Sequence, residues 1–132
     1  MKHLLGLLLA LSFGLFLPNP AVAAEWLLVA ETPDGSRAYF DRESLRREGP
    51  YAWFWLSMTL SNFRQSGYAI ETVMVYLSAD CNTKQTRLRQ LMFYDKDKKL
   101  IYSQAPGDEG PTEFISSSRE VLHDALEYAC GS

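Results

Sequence analysis

Hydrophobic and polar residues alternate along much of the chain, and a period of two is typical of β-strands. The clearest run covers residues 51–60. One set of alternate positions in this run is apolar: Ala52, Phe54, Leu56, Met58 and Leu60. The other set mixes aromatic and polar residues: Tyr51, Trp53, Trp55, Ser57 and Thr59. Successive side chains of a strand point to opposite faces, so the run predicts a strand with one core face and one amphipathic face.

Five further segments are rich in β-branched and aromatic residues, are bounded by turn signals and predict strands. They are residues 25–31, 37–41, 68–78, 83–94 and 100–104. Clusters of Gly, Pro and Asp predict turns at residues 32–35, 49–50, 67 and 95–98. Residues 42–45 predict a short helical or irregular link, and residues 105–111 predict a loop.

The last segment changes to the helical period. Ser117 is followed three residues later by Glu120, which is the pattern of a capping box at a helix start. The apolar stripe consists of Val121, Leu122, Ala125, Leu126 and Ala129, and we expect the helix to end at Cys130 and Gly131. Such a stripe has to be buried against another element. The sequence therefore predicts an α+β fold, an antiparallel sheet of about six strands with one C-terminal α-helix packed on a face.

The first residues have the pattern of a secretory signal peptide. Lys2 precedes a Leu-rich run over residues 4–17, and Pro18 and Pro20 separate that run from small residues. A helix of 14 residues spans about 21 Å, which is short of the ~30 Å hydrocarbon core, so a permanent membrane anchor is not expected. Cleavage after Ala23 or after Ala24 fits the pattern, and we prefer Ala24. The chain then divides into a signal peptide, residues 1–24, and a single domain, residues 25–132.

The chain has two cysteines, Cys81 and Cys130, and both belong to the exported part. An oxidising compartment favours a disulfide over free thiols or zinc binding, and only one intramolecular pairing exists. The bond would close a loop of about 50 residues, worth roughly 4 kcal/mol in the chain-entropy model, and would tie the helix to the sheet. A reactive thiol is the functional alternative. Since no cysteine lies near the cleavage site, we expect a periplasmic or extracellular protein and not a lipoprotein.

The sequence offers little for catalysis. Without residues 1–24 the chain has 12 basic and 16 acidic side chains and a formal charge of −4 at pH 7, which argues against nucleic acid as a partner. His123 would be the only histidine left, and residues 116–118 are serines that helix capping already explains. Asp95 and Asp97 are spaced like the start of a calcium loop, but lysines follow them. We therefore expect no enzyme, no metal and no cofactor.

Two groups of residues are candidates for binding a partner. Residues 81–99 contain six basic and two acidic side chains, among them Lys84, Arg87 and Arg89. Strand parity places the two arginines on one side, where a basic strand could attract acidic proteins or sulfated glycans. The alternative is a solvated face that prevents edge pairing.

The second candidate group consists of Tyr51, Trp53 and Trp55 on the amphipathic face of their strand. Amphipathic aromatic residues are common in interfaces, but they also pack beneath a loop or a helix. If they form an exposed patch, partner binding or a homodimer becomes the expected role.

The whole exported part resembles the surface-adhesin protein E family of bacterial envelope proteins, over residues 26–130. The resemblance rests on the order and spacing of several residues: Trp26, Tyr39-Phe40-Asp41, Ser44, Asp80-Cys81, Arg87, Leu91, Phe93-Tyr94-Asp95, Ser117, Leu122 and Cys130. It implies an antiparallel sheet with a C-terminal helix tied to it by a disulfide. It also implies binding without catalysis, to host matrix and serum proteins such as vitronectin and laminin, together with dimerisation and association with haem. This sequence departs from the adhesins because it lacks the cysteine that would carry a lipid anchor.

Three classes of function follow from these observations. The leading hypothesis is an exported, non-enzymatic, adhesin-like domain that engages a protein partner through its sheet surface. The alternative is a periplasmic protein that binds a small ligand such as haem, using tyrosine side chains or His123. A small envelope hydrolase would need a nucleophile and a base that the residues do not supply.

Overall fold

The computed structural model describes residues 24–112 and 119–131. It contains seven strands: β1 (Trp26–Glu31), β2 (Arg37–Asp41), β3 (Arg46–Glu48), β4 (Tyr51–Gln65), β5 (Tyr68–Asp80), β6 (Gln85–Tyr94) and β7 (Leu100–Gln104). The described helix, α1, spans Arg119–Gly131, and single 3-10 turns lie at Arg42–Ser44 and Gly107–Glu109. The predicted cleavage region before Ala24 and the predicted cap at Ser117 lie outside the described residues.

All strand pairs are antiparallel, which confirms the predicted sheet with one C-terminal helix. The order across the sheet is β1-β2-β4-β5-β6-β7, and the additional strand β3 pairs with the start of β4. The sequence did not predict β3, because its three residues are all exposed and too few to form an alternating pattern. Gly49, with a φ of 58°, turns the chain between β3 and β4.

The β4–β5 hairpin is longer than predicted and contains a bulge. Its tip has Ser66 and Gly67 at φ values of 53° and 85°, as a type I′ turn requires. Further down, the register changes between Thr59 and Phe63, with Asn62 at a φ of 56°. The bulge reverses the parity of β4 beyond residue 60 and places Phe63 edge-on to Phe93, with ring centroids 5.9 Å apart.

Helix α1 packs on one face of the sheet, against β1 and β4. Here this face is called the inner face and the opposite one the outer face. The core lies on the inner face, where Phe40 stacks on Phe54 at 4.9 Å and contacts Tyr128 of α1 at 4.7 Å. The predicted alternation in β4 is confirmed for Ala52, Phe54, Leu56 and Met58, which are buried, while Leu60 is half-buried against the core. From the predicted stripe of α1, four residues are buried: Val121, Ala125, Leu126 and Ala129.

The end of α1 is attached to the sheet by a covalent bond and a hydrogen bond. Cys81 and Cys130 form the predicted disulfide, with their Cα atoms 5.5 Å apart. Arg47 of β3 donates from Nη1 to the carbonyl oxygen of Ala129 at 3.0 Å. The contact places a positive charge at the C-terminal end of the helix, where it interacts favourably with the helix dipole. Strand β3 thus contributes to holding the helix in place.

Candidate binding surface

The outer face is built from side chains that cross the sheet in rows. Cross-strand pairing aligns Arg46, Trp53, Ser78 and Arg87 in one row, which runs from β3 to β6. The next rows contain Trp55 with Tyr76, and then Tyr39, Ser57, Met74 and Met92. No helix among the described residues packs on these rows, because α1 lies on the inner face. The sheet therefore presents aromatic, methionine and arginine side chains on the side that the described helix does not cover.

The aromatic residues of β4 lie together on the outer face, as the strand parity predicted. Trp53 and Trp55 are half-buried, and Tyr51 is 48% exposed. The Trp55 ring lies 5.0 Å from the ring of Tyr76, and the guanidinium carbon of Arg46 lies 4.6 Å from the centre of the Trp53 ring. Tilted contacts between rings and a cation–π contact support these side chains without burying them completely.

The two arginines of β6 also point to the outer face, but they are engaged within the protein. Arg87 donates from Nη1 to the carbonyl oxygens of Asp108 and Gly110, at 2.9 and 2.7 Å. Arg89 donates from Nε to the Ser78 hydroxyl at 2.9 Å and forms an ion pair with the Asp108 carboxylate. Both side chains therefore hold the loop of residues 105–112 beside β6.

Lys84 is not part of this arrangement. It is exposed in the turn between β5 and β6, where its φ is 65°. The structure thus brings Arg87 and Arg89 together with the aromatic residues, while Lys84 stays at the end of the sheet.

A glycine allows the loop to approach β6 closely. The Leu88 amide donates to the Pro111 carbonyl oxygen at 3.1 Å, and Arg87 forms an isolated bridge with Thr112. A Cβ atom at Gly110 would lie 1.7 Å from the Leu88 carbonyl oxygen, so no other residue fits without moving the backbone. The sequence predicted a loop here but gave no sign that it docks on the strand.

A cleft of about 400 Å³ lies at the end of the outer face that carries Trp53. Ser78 of β5 is small and buried, and it forms the floor between Trp53 on β4 and Arg87 on β6. The lining consists of Tyr51, Trp53, Ser78, Ala79, Asp80, Gln85, Thr86, Arg87, Arg89 and Thr112. Sequence reasoning found the aromatic and arginine residues but missed Ser78, Asp80 and Gln85, since only strand pairing places them between the two walls.

The other candidate residues do not form a site in the structure. His123 is 70% exposed on α1, where its Nε2 atom lies 3.2 Å from Glu127, and it lines neither this cleft nor a smaller one beside the β4–β5 hairpin. Asp95 accepts hydrogen bonds from the amides of Asp97 and Lys99, as expected for a turn. Within residues 24–112 and 119–131, no group of three or more His, Cys, Asp or Glu side chains could hold a metal ion. Residues 113–118, which include the serines at 116–118, lie outside the described part.

The described helix is too short and too polar to cross a membrane.

Comparisons of the sequence and of the structure with known proteins both point to surface-adhesin protein E. A family model for surface-adhesin protein E matches residues 26–131. The selenomethionine form of protein E from Haemophilus influenzae has a similar structure, with a TM-score of 0.55, 15% identity and coverage of 89% of this chain and 94% of that chain. A second crystal form of protein E gives a TM-score of 0.53 at 16% identity, covering 88% and 94% of the two chains. At this identity the structural likeness shows the fold. No curated protein sequence matches this chain.

Proposed function

Because this chain belongs to the surface-adhesin protein E family, we propose that it is an exported, non-enzymatic binding domain that engages a protein partner such as a host matrix or serum protein. The family supports an adhesin-like role and suggests that the protein is not an enzyme. We place the contact with the partner on the outer face of the sheet.

The composition and exposure of the outer face carry this proposal. Trp, Tyr, Met and Arg are the residues enriched at the centres of protein interfaces. Here they lie side by side as Trp55, Tyr76, Met74 and Met92, all partly exposed and bordered by arginines. A contiguous apolar patch of this kind on a protein surface is typical of an interaction site. The contacts between the rings also restrict the side chains before a partner binds, which lowers the entropic cost of binding.

A binding assay with paired variants tests the proposal. The exported protein is titrated onto immobilised vitronectin and laminin, and the affinities are measured by biolayer interferometry. Joint replacement of Trp55 and Tyr76 by alanine should weaken binding by about tenfold or more, as expected for two central aromatic residues. Tyr68→Ala is the matched control, because Tyr68 is 55% exposed at the hairpin tip and lies away from the outer-face rows. Equal loss in both variants, or binding to neither protein, would contradict the proposal.

Export by a cleaved signal peptide is the second part of the proposal. The family match begins at residue 26, two positions after Ala24, the preferred cleavage site. Mass spectrometry of the protein recovered from cells should give a chain that starts at Glu25, and an intact start at Met1 would contradict cleavage.

Exposure at the cell surface is tested by adding protease to intact cells. Degradation, or release of the protein into the medium, would support adhesion to host proteins. Protection until the outer membrane is opened would refute adhesion and favour a role in the periplasm.

A further inference from the structure

We propose that the cleft between Trp53 and Arg87 binds an acidic saccharide, a sugar that carries a carboxylate or a sulfate group. This inference rests on the proposed function in one respect, the use of the outer face for recognition, and it names the chemistry of one part of that face. The smaller cleft beside the hairpin and the exposed histidine of α1 offer no comparable combination of groups.

The shape of the cleft follows from side-chain size along one cross-strand row. Trp53 on β4 and Arg87 on β6 are large, and Ser78 between them on β5 is small and 7% exposed. Trp55 and Tyr76 form the next row and lie outside the lining of the cleft. The resulting volume of about 400 Å³ lies at the lower end of the range for small-molecule sites, roughly 300–1,000 Å³, and suits a short saccharide.

The two walls have different chemistry. On one side, Trp53 and Tyr51 offer ring surfaces, with their centroids 6.2 Å apart, against which the apolar face of a sugar ring can pack. On the other side, Arg87 and Arg89 line the cleft, and Arg89 is already engaged with the Ser78 hydroxyl and the Asp108 carboxylate. Arg87 uses Nη1 for the loop, and its Nε and Nη2 atoms have no hydrogen-bond partner among the described residues. Guanidinium N–H groups bind carboxylates and sulfates strongly because the hydrogen bonds are charge-assisted.

The floor and rim distinguish a saccharide from an acidic peptide. Asp80, Gln85 and Thr112 line the cleft and provide acceptors and donors suited to hydroxyl groups. Asp80 uses one carboxylate oxygen to accept the amides of Asn82 and Thr83. The other carboxylate oxygen can accept a hydrogen bond from a sugar hydroxyl, whereas the ionised side chains of a Glu-rich peptide have no donor to offer it. A ligand with several hydroxyl donors and one anionic group satisfies both the aspartate and the arginines.

Isothermal titration calorimetry on the exported protein tests the assignment. The probes are a sulfated heparin disaccharide, the neutral disaccharide cellobiose and a hexaglutamate peptide. The sulfated disaccharide should bind, and the other two should bind at least tenfold more weakly. Its affinity should fall as salt is added, because charged contacts are screened.

Variants of two tryptophans on the same strand face provide the matched comparison. Trp53→Leu should weaken binding of the sulfated disaccharide by about tenfold or more, and Trp55→Leu should change it less than twofold, since Trp55 does not line the cleft. Gln85→Glu adds a negative charge at an exposed rim position and should weaken binding about threefold to tenfold without affecting the fold.

Three results would overturn the assignment. They are no heat of binding with the sulfated disaccharide, equal losses for Trp53→Leu and Trp55→Leu, and binding of hexaglutamate at least as tight as that of the sugar. Binding to matrix proteins that is sensitive to Trp55 and Tyr76, without any saccharide binding, would refute this inference and leave the proposed function standing. Saccharide binding without any binding to matrix proteins would refute the proposed function and leave this inference standing.

Discussion

Removal of the disulfide between Cys81 and Cys130 should lower the free energy of unfolding substantially. The bond joins residues 49 positions apart in the sequence. In the chain-entropy model, a loop of about 50 residues corresponds to roughly 14 cal/mol/K, which is about 4 kcal/mol at 25 °C. Small domains have a total stability of about 5–15 kcal/mol, so the exported protein should remain folded but lose a large share of its stability.

The structure predicts how this loss is distributed between the folded and unfolded states. Val121, Ala125 and Ala129 of α1 are buried, and their apolar side chains would keep this packing if the bond were removed. The helix should therefore stay docked without denaturant, and the effect should come from the greater freedom of the unfolded chain. In urea, with an m-value of about 1.5 kcal/mol per molar, the midpoint should fall by roughly 2.7 M.

The assay is urea unfolding followed by circular dichroism, on the oxidised protein and on a variant with both cysteines replaced by alanine. The control is Arg47→Gln, which keeps the disulfide but removes the 3.0 Å hydrogen bond to Ala129 and should cost only about 1 kcal/mol. A loss below about 1 kcal/mol in the double-alanine variant would refute the argument from loop entropy. Loss of helical signal at zero urea would show instead that the bond is needed to hold α1 on the native sheet.

Further predictions concern the docked loop, a turn and the histidine. Gly110→Ala should destabilise the protein by about 1–3 kcal/mol in thermal or urea unfolding, because the new Cβ would lie 1.7 Å from the Leu88 carbonyl oxygen, and an unchanged stability would show that the loop moves freely. The Thr32 hydroxyl and the Ser36 amide donate to Asp34 and lower its pKa below the usual 3.8. The stabilising effect is complete above the pKa of Asp34 in the unfolded chain and is lost as the pH falls through its lower pKa in the folded protein. An NMR titration should therefore give a pKa below 3.8 for Asp34. Asp34→Asn should reduce the dependence of the free energy of unfolding on pH in the acid range. Hemin added at micromolar protein should give no Soret shift, because exposed His123 lines neither of the two clefts among the described residues; a shift that disappears in His123→Ala would support the small-ligand alternative.

The positions that face the core could be predicted from the sequence because side-chain direction in a strand is a local property. The alternation in residues 51–60 predicted an apolar series from Ala52 to Leu60 and an aromatic series on the outer face. The apolar series is buried as far as Met58 and half-buried at Leu60, and the aromatic series lies on the outer face. The helical stripe of α1 and the pairing of the two cysteines were likewise predicted, the first from its period and the second because one pairing exists. The first two features depend on the local geometry of a strand or a helix, and the third depends only on the number of cysteines.

Other features depend on which strands become neighbours, and the free energy of the whole sheet decides that. Strand β3 is stable only because it pairs with β4, and the bulge at Asn62 reverses the side-chain parity that residues 51–60 would predict for Phe63. The cleft depends on register in the same way, because Ser78 lies between Trp53 and Arg87 although 25 residues separate it from Trp53 and nine from Arg87. The sequence alone determined which side chains point outward, since the pleat of a strand requires alternation. Only the tertiary structure decided which of them meet, because cross-strand contacts join residues that are distant along the chain.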